Sequence, residues 1–236
     1  MALGGQGAPL VPAFHQGLFS SLNKNTVVLN IGGIANVSVL RPNQPVIGYD
    51  TGPGNMLMDA WYERHTGDRF DKNGQLARKG FVDDALLSTL MAEPYLMKAP
   101  PKSTGRELFN LSWLDDKLQG FDLSIEDTQR TLCEYTALTI ANEVDRYFSS
   151  QGSELLVCGG GGRNPLLVER LSHLLPRWNV TSTTSKGVDS DNMEAMAFAW
   201  LAYRRIHNLP SNLPEVTGAS KSVSLGVIYP ADKKYS

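Results

Sequence analysis

The chain has 236 residues, 42% hydrophobic and 19% charged, with a formal net charge of -2, the make-up of a globular protein with a sizeable core, one large domain or two small ones. That charge balance argues against a nucleic-acid partner, which needs many Lys and Arg set against phosphates, and no apolar run reaches the roughly 18–20 residues of a membrane span. Cys133 and Cys158 are the only cysteines, too few for a disulfide framework, and their apolar contexts suit buried thiols in a reducing, cytoplasmic compartment.

The opening stretch MALGGQGAPLVPAFH has no signal-peptide pattern, and Gly4, Gly5, Gly7, Pro9 and Pro12 predict a loop. Domains rarely begin in so many breakers, so the chain is expected to start inside a larger unit. TVVLNIGGIANVSVL, residues 26–40, places β-branched runs on both sides of a glycine pair and predicts a hairpin. A third strand over 45–49 leads to Asp50, and the Thr-Gly-Pro-Gly-Asn that follows is read as a turn outside regular structure. Met56, Leu57, Ala60 and Trp61 then recur at helical spacing, with Asn55 as the cap.

The middle of the chain carries weaker signals: a polar segment over 67–80, a helix from about Asp83, and a proline-rich loop over 94–105. DRFDKNG is not a calcium loop, because Arg69 takes the first ligand position when Gly74 is set at the sixth. Ser124 and Asp127 have the spacing of a capping box, and Leu132, Tyr135, Leu138, Ala141 and Val144 predict a long helix behind them. Residues 154–158 (ELLVC) read as a buried strand entering four glycines, followed by Asn164 and Pro165 as cap and first residue of a helix. NVTSTT, residues 179–184, suggests another short strand. Ser190–Asn192 can cap a last helix, MEAMAFAWLAYRRI, whose apolar run predicts packing inside the core. A meander followed by strands alternating with helices indicates an α/β layered fold.

Four features could carry chemistry. Gly159, Gly160, Gly161 and Gly162 remove side chains where a strand meets a helix, so the turn either packs closely or points free amides at a ligand such as a nucleotide. Neither a Gly-Lys-Ser/Thr nor dinucleotide-type spacing accompanies them. The NIGGIAN hairpin is either a simple tight turn or a second set of amides facing phosphate oxygens. Asp50 is either an Asx-turn cap or a rigidly held general base. Glu194 sits in an apolar helix, which implies a partner or a ligand cleft, unless it merely complements the helix dipole in the first turn. The four histidines lack the paired spacing of a metal site, and no metal ligands are assigned.

Taken together, GGQGAPLVPAFH, LNIGGIANVSVL, GYDTGPGNMLMDAW, FDKNGQLARKG, PPKSTGRELFN, CGGGGRNPLLVERL and DSDNMEAMAFAWLA closely resemble the anhydro-N-acetylmuramic acid kinase family over nearly the whole chain. The resemblance implies an actin-like ATPase (ribonuclease H-like) fold, with a mixed sheet flanked by helices and nucleotide bound between two domains. Residues 1–24 would be a remnant and linker of the first domain, and 25–230 the C-terminal domain with an insertion around 66–122. The implied reaction is ATP- and Mg2+-dependent hydration and phosphorylation of 1,6-anhydro-N-acetylmuramic acid in peptidoglycan recycling, with room for a homodimer.

By the same resemblance Asp50 is the catalytic base. Asn30, Gly32, Gly33, Gly159–Gly162 and Asn164 face the nucleotide, and Thr51, Gly52, Asn55 and Glu194 line the sugar. The family's Gly-Thr-Ser-x-Asp-Gly phosphate loop does not occur in these 236 residues, so the chain reads as a C-terminal portion with little activity alone. The other reading is a nucleotide-binding or interaction module that keeps the fold without catalysis.

Overall fold

The computed structural model describes residues 3–4 and 10–229. Five strands form one sheet in the order β3-β2-β1-β4-β5: β1 Asn25–Ile31, β2 Ile34–Leu40, β3 Ile47–Pro53, β4 Ser153–Cys158 and β5 Asn179–Ser182. The first three form an antiparallel meander, while β4 pairs parallel with β1 and β5 parallel with β4. The sheet is mixed and flanked by helices, as expected. The central strands β1 and β4 are buried on both faces, which is why residues 27–29 (VVL) and 155–157 (LLV) are continuously apolar instead of alternating.

One face carries the larger core. There α2 Met56–Thr66, α3 Asp84–Met91, α4 Leu111–Leu118, α5 Ile125–Asp145 and α6 Pro165–Leu174 pack Leu57, Leu86, Leu114, Tyr135 and Leu167 with Val27, Leu29 and Leu155 of the sheet. The other face is thinly covered. Among the described residues, the helices α1 Pro12–Phe19, α7 Met193–Ile206 and the single turn α8 Pro214–Thr217 meet Val28, Leu156 and Cys158 there, through Phe14, Phe19, Met193, Ala197 and Val216.

Several expectations are corrected. The glycine- and proline-rich opening becomes helix at Pro12, where the missing N–H would have had no intrahelical partner; residues 5–9 lie outside the described residues. Strand β3 does not stop before Asp50 but runs on through Thr51, Gly52 and Pro53. It is an edge strand, which tolerates Pro53, and Gly52 (φ 154) sits beside the register shift at Ala35 and Asn36 that absorbs the irregularity. Asn55 occupies the cap position of α2 without a side-chain capping hydrogen bond. Helix α7 is not inside the core: Met193 and Ala197 are buried, but Met196, Phe198, Tyr203 and Ile206 are exposed.

Two other caps form as expected, Ser124 accepting from the Asp127 amide and Asn164 from those of Leu166 and Leu167, whereas Asn192 at the start of α7 makes no side-chain capping hydrogen bond; Asp83, at the expected start of α3, accepts from the Leu86 amide. The capping box closes in one direction only, because the Asp127 carboxylate accepts the Phe81 amide at 2.7 Å. Residues 66–122 add helices, 3-10 turns and loop but no strand.

Candidate active site

Strands β1, β3 and β4 run in the same direction, so their C-terminal ends share one end of the sheet. The NIGGIAN tip, the DTGPGN segment and the four glycines therefore converge, although they are far apart in sequence, at the end of an open sheet where ligands usually bind. The contacts are direct. The Gly32 carbonyl accepts from the Asn55 amide at 2.8 Å, and the Gly33 carbonyl from the amides of Gly54 at 2.8 Å and Met56 at 3.2 Å. A Cβ on Gly54 would lie 2.2 Å from the Gly32 oxygen, and one on Gly159 2.4 Å from Asn30 Oδ1. These glycines are required by close approach.

The glycine turn is a short 3-10 helix, Gly160–Arg163, entered through Gly159 at φ 81. Inside it the amides of Gly162 and Asn164 bond to Gly159 and Gly161. Among the described residues the amides of exposed Gly33 and Gly160 make no backbone hydrogen bond, which leaves them as donors at the mouth of the site, while Gly161 is buried against Ile31. Arg163 Nε donates to Asp191 at 2.7 Å and ties the turn to the start of α7.

Asp50 is paired with Asn36 of β2, Asn36 with Asn30 of β1, and Asn30 with Cys158 of β4. Residues in one cross-strand row share a face, so a line of polar side chains runs from Asp50 to the glycine turn on the thinly covered face. Two strand spacings put Asp50 about 10 Å from Asn30. Asp50 Oδ2 accepts from Ser103 Oγ at 2.8 Å and from the Thr104 amide at 3.0 Å. Its own amide bonds to the Lys102 carbonyl, and its carbonyl accepts from the Tyr95 hydroxyl. The backbone and one carboxylate oxygen are thus fixed, and Oδ1 makes no hydrogen bond among the described residues.

The loop that holds Asp50 is itself anchored by Lys102, whose Nζ lies 2.8 Å from Glu143 of α5, with both side chains at most 5% exposed. Glu143 also accepts from Tyr49 Oη at 3.0 Å. Sequence reasoning passed over Asn36, Lys102, Ser103 and Thr104. Asn36 was legible as the second asparagine of NIGGIAN, on the same strand face as Asn30; the other three had no local signal.

The expected sugar-side residues separate. Thr51 is fully buried, its hydroxyl donating to the Ala35 carbonyl, and Gly52 packs against Thr139. Both shape the strand and do not line an open surface. Asn55 turns towards the glycines, where a Cβ on Gly161 would meet its Oδ1 at 2.9 Å. Glu194 is exposed on the first turn of α7, so no burial penalty calls for a partner.

A cleft of about 390 Å³ opens beside the glycine turn on the larger-core side, lined by Asn55, Met58, Asp59, Phe70, Gly160 and Asn164 among others. Its wall is the FDKNG segment: Asp71 accepts from the Leu76 and Ala77 amides, and Gly74 (φ 66) comes within contact of the Asn164 side chain and Leu166. Gln129 forms part of the lining, only 1% exposed and with Oε1 unpartnered. Burial, reinforced by Glu63, pushes the Asp59 carboxyl up to about 6. Met58 and Phe70 supply the apolar surface of a lining that is otherwise mostly polar or charged.

The family model for anhydro-N-acetylmuramic acid kinase matches residues 1–231. The chain belongs to the anhydro-N-acetylmuramic acid kinase family. It is 68% identical over 229 residues to the protein of that name from Vibrio parahaemolyticus, covering 97% of this chain and 62% of the relative. It is 64% identical to the one from Photobacterium profundum, covering 98% of this chain and 63% of that protein. The chain thus spans less than two thirds of the length of these curated relatives. No helix among the described residues is long and apolar enough to cross a membrane.

Proposed function

We propose that this fold serves ATP-dependent conversion of 1,6-anhydro-N-acetylmuramic acid to N-acetylmuramic acid 6-phosphate. Asp50 takes a proton from a water that attacks the anomeric carbon. The bond from that carbon to oxygen six breaks, oxygen six attacks the γ-phosphorus, and ADP leaves.

The observation that carries this reading is the polar row Asp50, Asn36, Asn30 ending at the glycine turn. With Asn30 about 10 Å from the base and the glycine turn beyond it, there is room for a sugar ring between the attacking water and the phosphates. The nucleoside would enter the cleft beside Gly160 and Asn164, with Gly32 and Gly33 on the phosphate side. Glu194, at the start of α7 on the face that carries Asp50, would meet the sugar.

Magnesium would neutralise developing charge on the phosphates. Among the described residues no three His, Cys, Asp or Glu gather into a metal cage, and magnesium needs none: one or two carboxylates plus substrate phosphates are its usual ligands. These 236 residues contain no Gly-Thr-Ser-x-Asp-Gly loop, so by themselves they should bind nucleotide and turn over little sugar.

In a full-length protein of the family, Asp50→Asn should abolish sugar-dependent ADP release and leave the calorimetric affinity for ADP nearly unchanged. Retained turnover in that variant would remove Asp50 from the role of base.

A further inference from the structure

A second cleft, of about 330 Å³, lies at the opposite end of the sheet, among Lys24 before β1, Arg41 after β2, and Arg146, Tyr147 and Phe148 after α5. The length of β1 separates it by about 20 Å from the glycine turns. Three basic side chains converge on it, and the surrounding ion pairs do not neutralise them.

Glu154 is shared by Lys24 and Lys186, each at 2.7 Å. Glu143 is shared by Lys102 at 2.8 Å and Arg146 at 3.3 Å. Arg41 has no carboxylate partner among the described residues. Five cations therefore stand against two carboxylates, and both carboxylates are already fully engaged.

Arg41 is the exceptional group. Its guanidinium lies over the Tyr147 ring at 5.6 Å, and its Nε is buried without a hydrogen-bond partner. A buried charged donor without an acceptor is unfavourable, and here it borders a concave space with an excess of positive charge. A guanidinium fork matches phosphate oxygens geometrically. Pro42, Tyr147 and Phe148 supply apolar wall, and Gln44, Ser149 and Gln151 supply polar groups around it. The volume is at the small end of ligand pockets, too small for a nucleic-acid strand and suited to one compact metabolite.

We propose that this cleft binds a small phosphate-bearing anion, with Arg41 as its principal ligand and Lys24 and Arg146 beside it. The site is independent of the glycine-turn site and of the reaction proposed there.

The test uses the 15N-labelled full chain, titrated with glucose 6-phosphate, inorganic phosphate and, as the neutral control, glucose. The Arg41 Nε–Hε resonance should shift with either phosphate and stay still with glucose. A stronger response to glucose 6-phosphate assigns the site to a phosphorylated sugar, and an equal one to free phosphate. Arg41→Gln should weaken binding about tenfold or more, and Arg41→Lys less, since it keeps the charge and loses the fork. Circular dichroism and urea midpoints establish that both variants are folded. Shifts confined to the Gly33, Gly160 and Gly161 amides, or unchanged affinity in folded Arg41→Gln, would overturn the proposal.

Discussion

Replacing Lys102 by Met removes one charge of an ion pair that is almost wholly enclosed, with side-chain exposures of 2% and 5%. Glu143 would keep Tyr49 Oη at 3.0 Å and half-exposed Arg146 at 3.3 Å. Breaking a buried pair from one side costs about 3–5 kcal/mol, and this residual compensation places the expected loss at the low end, about 3 kcal/mol. For a chain of this size that lowers the melting temperature by roughly 6–12 °C. Lys102→Met/Glu143→Leu removes both charges and should recover most of the loss, because Tyr49 Oη keeps Tyr147 Oη at 3.1 Å. Urea unfolding followed by tryptophan fluorescence, with constant slopes, measures both. A single-variant loss below about 1 kcal/mol, or a double variant as unstable as the two single losses added, would refute the view that this pair anchors the Asp50 loop.

Two further outcomes are expected. Gly161→Ala places a Cβ 2.3 Å from Ile31 Cγ2 inside a fully buried contact; overpacking of this kind costs about 1–3 kcal/mol, and calorimetry should show weakened ADP binding as the turn shifts. Burial holds the His15 imidazole at about 4 instead of 6.5, with Nδ1 on Ser38 Oγ at 2.9 Å and Nε2 unpartnered. The unfolded chain then binds the extra proton first, so stability falls as pH drops from 6.5 towards 4, by up to about 3 kcal/mol. Asp59, whose carboxyl is raised to about 6, works in the opposite direction, so the readout is the wild type minus His15→Gln difference in urea stability. A difference that does not change with pH would exclude His15.

Much of the fold was legible because its signals are local. β-Branched runs around Gly32 and Gly33, the buried ELLVC strand before four glycines, and the caps at Ser124 and Asn164 each depend on neighbours within a few residues. Helix α7 was misread because an apolar run looks the same whether both faces or one are covered; here the layer over it is missing among the described residues, and Phe198 and Ile206 stay exposed. Strand β3 was cut short for a related reason: Gly52 and Pro53 break an isolated strand, yet an edge position with a bulge accommodates both.

The sequence by itself determined the chemical parts: Asp50 ahead of Thr-Gly-Pro-Gly-Asn, two glycine turns, and motifs dense enough to resemble one family. Only the tertiary structure decided how they meet. Parallel pairing of β4 with β1 brings Gly159 onto Asn30, strand register sets Asp50 in line with Asn36, and Ser103 and Thr104 reach Asp50 across 53 and 54 residues of chain. Such contacts leave no local trace, because they are fixed by which strand lies beside which and by a buried ion pair from a distant helix.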